Sequence, residues 1–221
     1  MNIVTMCVLG FTAGVFIPFA AEKTSAYKLM LKGKELSKEK WRRSWWLLAL
    51  SGFAGALGFA FCSVFLSDVL PGIIFCAVWL VVMTVILVDI YIRIVPNEAV
   101  LILLILGAAY QFLLFGLLGL GTAFLTMLAV MLLMLLIARF LGFAQIGAGD
   151  VKLAAAMALT LGYPYVLDAF LVMAILMGVF CVGGIASNKL TRYSLFPYAP
   201  FIGSGFLAGM AFMHFNFWAL L

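Results

Sequence analysis

The chain alternates long apolar runs with short breaks rich in Gly, Pro, Asn and charged residues. A helix rising 1.5 Å per residue crosses a bilayer in about 20 apolar residues, so runs of this length predict spanning helices. Eight are read: Met1–Ala21, Trp45–Leu66, Ile73–Val95, Glu98–Phe115, Thr122–Phe140, Ala144–Leu161, Val166–Ser187 and Tyr198–Leu220. Their breaks carry turn chemistry, namely Asp68 with Pro71-Gly72, Pro96-Asn97, Gly116 to Gly121, Gly142, Gly162 to Pro164, and Asn188 to Pro197. The sixth run is glycine-rich and is expected to be short or partly re-entrant. Gly10-x-x-x-Gly14 and Gly205-x-x-x-Gly209 have the small-residue spacing that lets helix backbones approach. The expected fold is all-α, a polytopic bundle of about eight transmembrane helices in a single domain over residues 1–221.

Composition narrows the class. The chain is 67% hydrophobic and 10% charged, where a soluble domain is about half apolar and a quarter charged. A soluble enzyme with a membrane tail, a disordered chain and a nucleic-acid binder are excluded. The net charge of +5 sits in Glu22–Ser44, where Lys23, Lys28, Lys32, Lys34, Lys38, Lys40, Arg42 and Arg43 outnumber Glu22, Glu35 and Glu39. No basic residue precedes the first run, so it reads as a retained span rather than a cleavable signal. With the N-terminus outside, eight alternating spans place all 13 Lys and Arg on the inner side, including Arg93, Arg139, Lys152, Lys189 and Arg192. Adding or removing one internal span scatters them over both faces. The expectation is therefore an integral membrane protein with both termini outside. Residues 22–44 form a short basic cytoplasmic loop that touches anionic lipid, with Trp41, Trp45 and Trp46 at its interface.

Acidic residues bring in chemistry. Asp68 and Asp168 fall at outside turns, where solvent explains them, and Glu98 suits a helix start. Asp89 and Asp150 instead stand inside apolar runs. A helix continuing to Pro96 would put Asp89 about 10 Å from its end, and Asp150 is six residues into the run from Ala144. At such depth a carboxylate costs roughly 2–3 kcal/mol, so it is paired or functional. Pairing has a candidate in Arg93, four residues after Asp89; Lys152, two residues after Asp150, does not align with it. The functional reading is a dyad. Two carboxylates around one water cannot easily both ionise, so one acts as base while the other, protonated, polarises a scissile carbonyl. Gly147-Ala148-Gly149-Asp150 puts two glycines before the acid, which admits another backbone closely. No metal is expected, because His214 is the single histidine and Cys7, Cys62, Cys76 and Cys181 stand singly as packing residues. A small cation- or proton-coupled transporter using the same two aspartates is the alternative, and a non-catalytic assembly subunit a third reading.

These residues resemble the type IV prepilin peptidases, membrane aspartic proteases of the G-x-G-D class. One family motif is similar to Gln145-Ile146-Gly147-Ala148-Gly149-Asp150-Val151-Lys152-Leu153, and another to Asp89-Ile90-Tyr91-Ile92-Arg93-Ile94-Val95-Pro96-Asn97. Phe196-Pro197-Tyr198-Ala199-Pro200-Phe201 is similar to the family's proline-bearing segment before its last helix. Presenilin-like and signal-peptide-peptidase-like proteases share G-x-G-D but carry a Pro-Ala-Leu motif that this sequence lacks. The resemblance implies that Asp89 and Asp150 are the catalytic pair, with Gly147, Gly149, Lys152, Arg93, Pro96 and Asn97 supporting them or positioning substrate. It implies cleavage of the basic leader of prepilins or pseudopilins at the cytoplasmic face, for a pilus, secretion or competence system. Many bacterial members also methylate the new N-terminus and carry a larger domain with Cys-x-x-Cys pairs after the first span. Here that loop lacks cysteine, so methyltransferase activity is not expected and no cofactor is assigned.

Overall fold

The computed structural model describes residues 2–34, 44–140, 147–187 and 196–215, all helical or connecting, with no strand among them. Among the described residues, seven helices run in the order α1 (Ile3–Met30), α2 (Trp45–Phe65), α3 (Val69–Ile92), α4 (Asn97–Phe140), α5 (Ala148–Leu161), α6 (Tyr165–Ala186) and α7 (Ala199–His214). Five of them, α1, α2, α3, α4 and α6, are long and apolar enough to cross a membrane.

Two of the expected spans, Glu98–Phe115 and Thr122–Phe140, are the two arms of α4. Its 44 residues break only at Gly116, at φ 67° and ψ −162°, a conformation open to a residue without Cβ. The chain doubles back there. Along the first arm Asn97 meets Lys152 and Gln111 meets Thr160; along the second, Ala123 meets Gly162, and Met134 and Ile137 lie beside Asp150. Both arms therefore line α5 in opposite directions. The expected Gly116–Gly121 break shrinks to one residue, since the remaining residues keep helical geometry within an apolar stretch.

Other boundaries move for local reasons. Pro71 and Gly72, read as a break, lie in the first turn of α3, where proline lacks only an N–H that has no helical partner. At the other end α3 stops at Ile92, not Pro96, because Arg93 caps it in the left-handed region at φ 52°. Helix α1 continues past Ala21 to Met30, so the first part of the basic segment is helical and α1 is about 42 Å long. Asp168, expected in solvent, is buried in the first turn of α6, where the helix dipole favours a carboxylate.

Helix directions follow from the contacts. The C-terminal ends of α1, α3 and α6 share one end of the bundle with the N-terminal ends of α4, α5 and α7, tied by Lys28–Glu98, Asp89–Ala199 and Phe180–Phe201. Lys23, Lys28, Lys32, Lys34, Arg93, Arg139 and Lys152 all belong to that end. Lys38, Lys40, Arg42, Arg43, Lys189 and Arg192, with Glu35, Glu39 and Trp41, lie outside the described residues.

The core is centred on α3, α5 and α7, where Phe75, Val78, Met157, Leu161, Phe206 and Met210 are buried. Helix α6 buries only Val166, Asp168 and Ala169, leaving Leu171, Ile175, Val179 and Val182 exposed; an apolar face of that length suits lipid. Packing of α1 on α2 rests on glycine. A Cβ on Gly14 would run into the Ser51 carbonyl, and one on Gly55 into the Gly10 carbonyl. Backbone rather than a flexible side chain blocks both, so neither helix can yield locally. Gly14→Leu is expected to force α1 off α2, measured as loss of a cooperative thermal transition in detergent, whereas Gly178→Ala, a helical position with open space around it, changes stability by no more than about 1 kcal/mol.

Candidate active site

Three stretches far apart in sequence meet at the charged end. Asp89 occupies the last turn of α3 and is only 4% exposed. Its burial does not come from depth along a long helix, since α3 ends three residues later. It comes from α7, whose first residue donates its backbone N–H to Asp89 Oδ2 at 3.0 Å. That N–H is among those a helix start leaves without a helical partner, and the positive end of the α7 dipole faces the carboxylate.

The ion pair open to Asp89 on spacing alone is not what holds it. Arg93 donates its backbone N–H to the Asp89 carbonyl at 2.8 Å while its left-handed φ turns the chain out of the helix. The guanidinium is exposed and adds only a longer-range attraction.

Asp150 lies in the first turn of α5, which begins at Ala148. Gly147 is the N-cap, and its N–H donates to Asp150 Oδ2 at 3.2 Å, so the acid at the third helical position reaches back over the helix start. Asp150 is half-buried and within electrostatic range of Asp89. Gln145 and Ile146, which precede this turn in the motif, lie outside the described residues.

The connector between α3 and α4 locks the two acidic segments together. Gly149 faces Val95, and a Cβ there would sit 3.0 Å from the Val95 Cβ. Beside this contact Lys152 Nζ donates to Asn97 Oδ1 at 3.2 Å. Pro96 is buried between them, and its carbonyl accepts the Val100 N–H that opens α4. The glycine thus admits a backbone, as expected of it, and Lys152 answers to Asn97 rather than to Asp150. On the outer side of the connector Glu98 meets Lys28 Nζ at 2.6 Å, which ties α4 to the extension of α1. A leucine at position 149 gains roughly 1 kcal/mol of helix propensity but overpacks Val95 at a cost of about 1–3 kcal/mol. Gly149→Leu is therefore expected to lower the melting temperature and push α5 away from the connector.

An apolar cavity of about 210 Å³ opens beside Asp150, walled by Met134, Ala154, Met173, Tyr198 and Ile202. Asp150 and Ala154 are one turn apart on α5 and share the face that borders it. Tyr198 stacks on Phe196 with ring centroids 4.9 Å apart and lies within electrostatic range of Asp150. The cavity thus joins a carboxylate to an apolar channel between α4, α5, α6 and α7.

The participation of Ala199 is missed by side-chain reasoning, because a backbone N–H is common to every residue except proline. Its one trace in the sequence is the run of prolines and aromatics around it. His214 lies at the opposite end, where it hydrogen-bonds Tyr110 and packs against Phe61 and Phe75, a packing role far from the aspartates.

No curated protein and no solved structure matches the chain. The type IV leader peptidase family model matches residues 73–182. That stretch takes in Asp89, the connector that carries Val95 and Asn97, and the Gly147–Lys152 turn fitted against it, so the region of shared sequence is the region in which both acidic segments are packed; the chain belongs to this family of proteases.

Proposed function

We propose that the protein is a membrane-embedded aspartic endopeptidase that removes the basic leader from type IV prepilin or pseudopilin precursors at the cytoplasmic face, with Asp89 and Asp150 as its catalytic pair. The reading is carried by one observation: two carboxylates from separate helices come within electrostatic range at the charged end of the bundle. Family membership supplies the protease and a protein substrate. The concentration of Lys and Arg at the aspartate end supports a cytoplasmic orientation for it.

In the proposed step a water held between the carboxyls loses a proton to the ionised one as its oxygen attacks the scissile carbonyl carbon. The protonated partner donates toward the carbonyl oxygen. Collapse of the tetrahedral species breaks the C–N bond, and the departing amine takes up a proton from the pair, which returns with one proton between the two groups. Asp150 borders the cavity and is the acid that meets substrate, while Asp89 is held from behind by Ala199. Gly147, Gly149 and Asn97, with Lys152, fix the distance between the two helices, and Arg93 and Pro96 shape the turn.

The test is co-expression with a candidate precursor and mass spectrometry of the new N-terminus. Cleavage between the basic leader and the apolar helix is the expected result. A precursor left whole across a panel of pilin and pseudopilin substrates, with substrate-dependent flux in proteoliposomes instead, would favour transport.

A further inference from the structure

We infer that the groove between α1, α3 and the start of α4 binds one anionic phospholipid from the leaflet at the aspartate end. The groove has a volume of about 500 Å³ and is distinct in lining from the cavity at Asp150. One wall is the last part of α1. Lys23 with Tyr27, and Thr24 with Lys28, form two neighbouring i, i+4 columns that face the groove.

Its charge is unbalanced in one direction. Lys28 is matched by Glu98 at 2.6 Å, but among the described residues Lys23 has no ion-pair partner. Two ammonium groups against one carboxylate leave a single positive charge, which suits a phosphodiester bearing one negative charge. The hydroxyls of Thr24 and Tyr27 add donors beside it.

Polarity runs along the groove instead of surrounding it. The charged groups cluster toward the ends of α1 and α4, while Leu80, Val81 and Ile102 continue the lining away from them along α3 and α4. A nucleotide or an acidic peptide would need polar partners along its whole length. A lipid needs them at one end and an apolar wall at the other. Lysine stems running along apolar surface with the ammonium at the headgroup level give that arrangement, and a juxtamembrane lysine attracts anionic lipid.

The experiment is native mass spectrometry of the purified full chain with phosphatidylglycerol or phosphatidylcholine. One phosphatidylglycerol retained per chain, in preference to phosphatidylcholine, is expected. Lys23→Gln should reduce that retention about fivefold, Lys23→Arg should restore it, and Lys32→Gln, beyond the groove on an exposed turn, should leave it unchanged. Equal retention of the two lipids, wild-type retention by Lys23→Gln, or displacement by millimolar inorganic phosphate would each overturn the proposal.

Discussion

Asp89→Asn and Asp150→Asn are each expected to abolish leader removal while the protein accumulates in the membrane at its normal level. Proton transfer by a positioned side chain is worth about 10²–10⁴ in rate. Groups that act as a unit are lost together when either is removed, so each single variant should lose at least about 10³-fold, and the double variant little more. The fold should survive because asparagine keeps an acceptor oxygen. At position 89 it can still take the Ala199 N–H, and at position 150 the Gly147 N–H. Replacing a charge in an apolar setting by an amide also removes part of the roughly 2–3 kcal/mol cost of placing it there. Precursor gel shift, normalised to the amount of each variant, is the measurement. Complete processing by either variant would remove the dyad from the mechanism, and undetectable flux from the wild type would at the same time count against transport.

Those two aspartates were legible because a carboxylate within an apolar run is conspicuous, and both runs carried a second signal in Pro96-Asn97 and Gly147-x-Gly149. What spacing could not supply was the reason for their burial. Depth along a helix was the natural inference for Asp89, yet α3 ends soon after it and the cover comes from α7, more than a hundred residues on. The same holds for Lys28 and Glu98, seventy residues apart: each has a satisfactory local explanation, one as a basic flank and the other as a helix start, and neither explanation points to the other. The turn inside α4 was legible in place but not in length. Hydropathy registers a run of glycines as a break, whereas a helix in an apolar setting tolerates most of them and turns at Gly116 alone. The shared end of Lys23, Lys28, Lys32, Lys34, Arg93, Arg139 and Lys152, the basic residues among those described, was readable in advance because the chain reverses at Gly116 and the two arms of α4 keep the alternation on which it depends.

A larger side chain at Ala154 should separate catalysis from stability. Ala154 lies one turn from Asp150 and borders the cavity of about 210 Å³ on the same helix face. Leucine there projects into apolar, unfilled space. Filling such space commonly adds about 0.5–2 kcal/mol, although any methylene that misses the void overpacks the core in which Ala154 is otherwise buried. The expected balance is an unchanged or slightly raised melting temperature. Activity should move the other way. If substrate must place an apolar segment beside Asp150 to bring its scissile carbonyl to the dyad, Ala154→Leu removes that position with both carboxyls and their N–H donors intact. A misplacement of about 1 Å can cost 10²-fold, so kcat/KM for precursor cleavage should fall at least about a hundredfold. Ala156→Leu serves as the comparison, because Ala156 is buried in the core and does not line the cavity; it should lose stability by about 1–3 kcal/mol. Normal cleavage by a stably folded Ala154→Leu would mean that substrate reaches the aspartates by another route, and the cavity would then have no part in positioning the peptide.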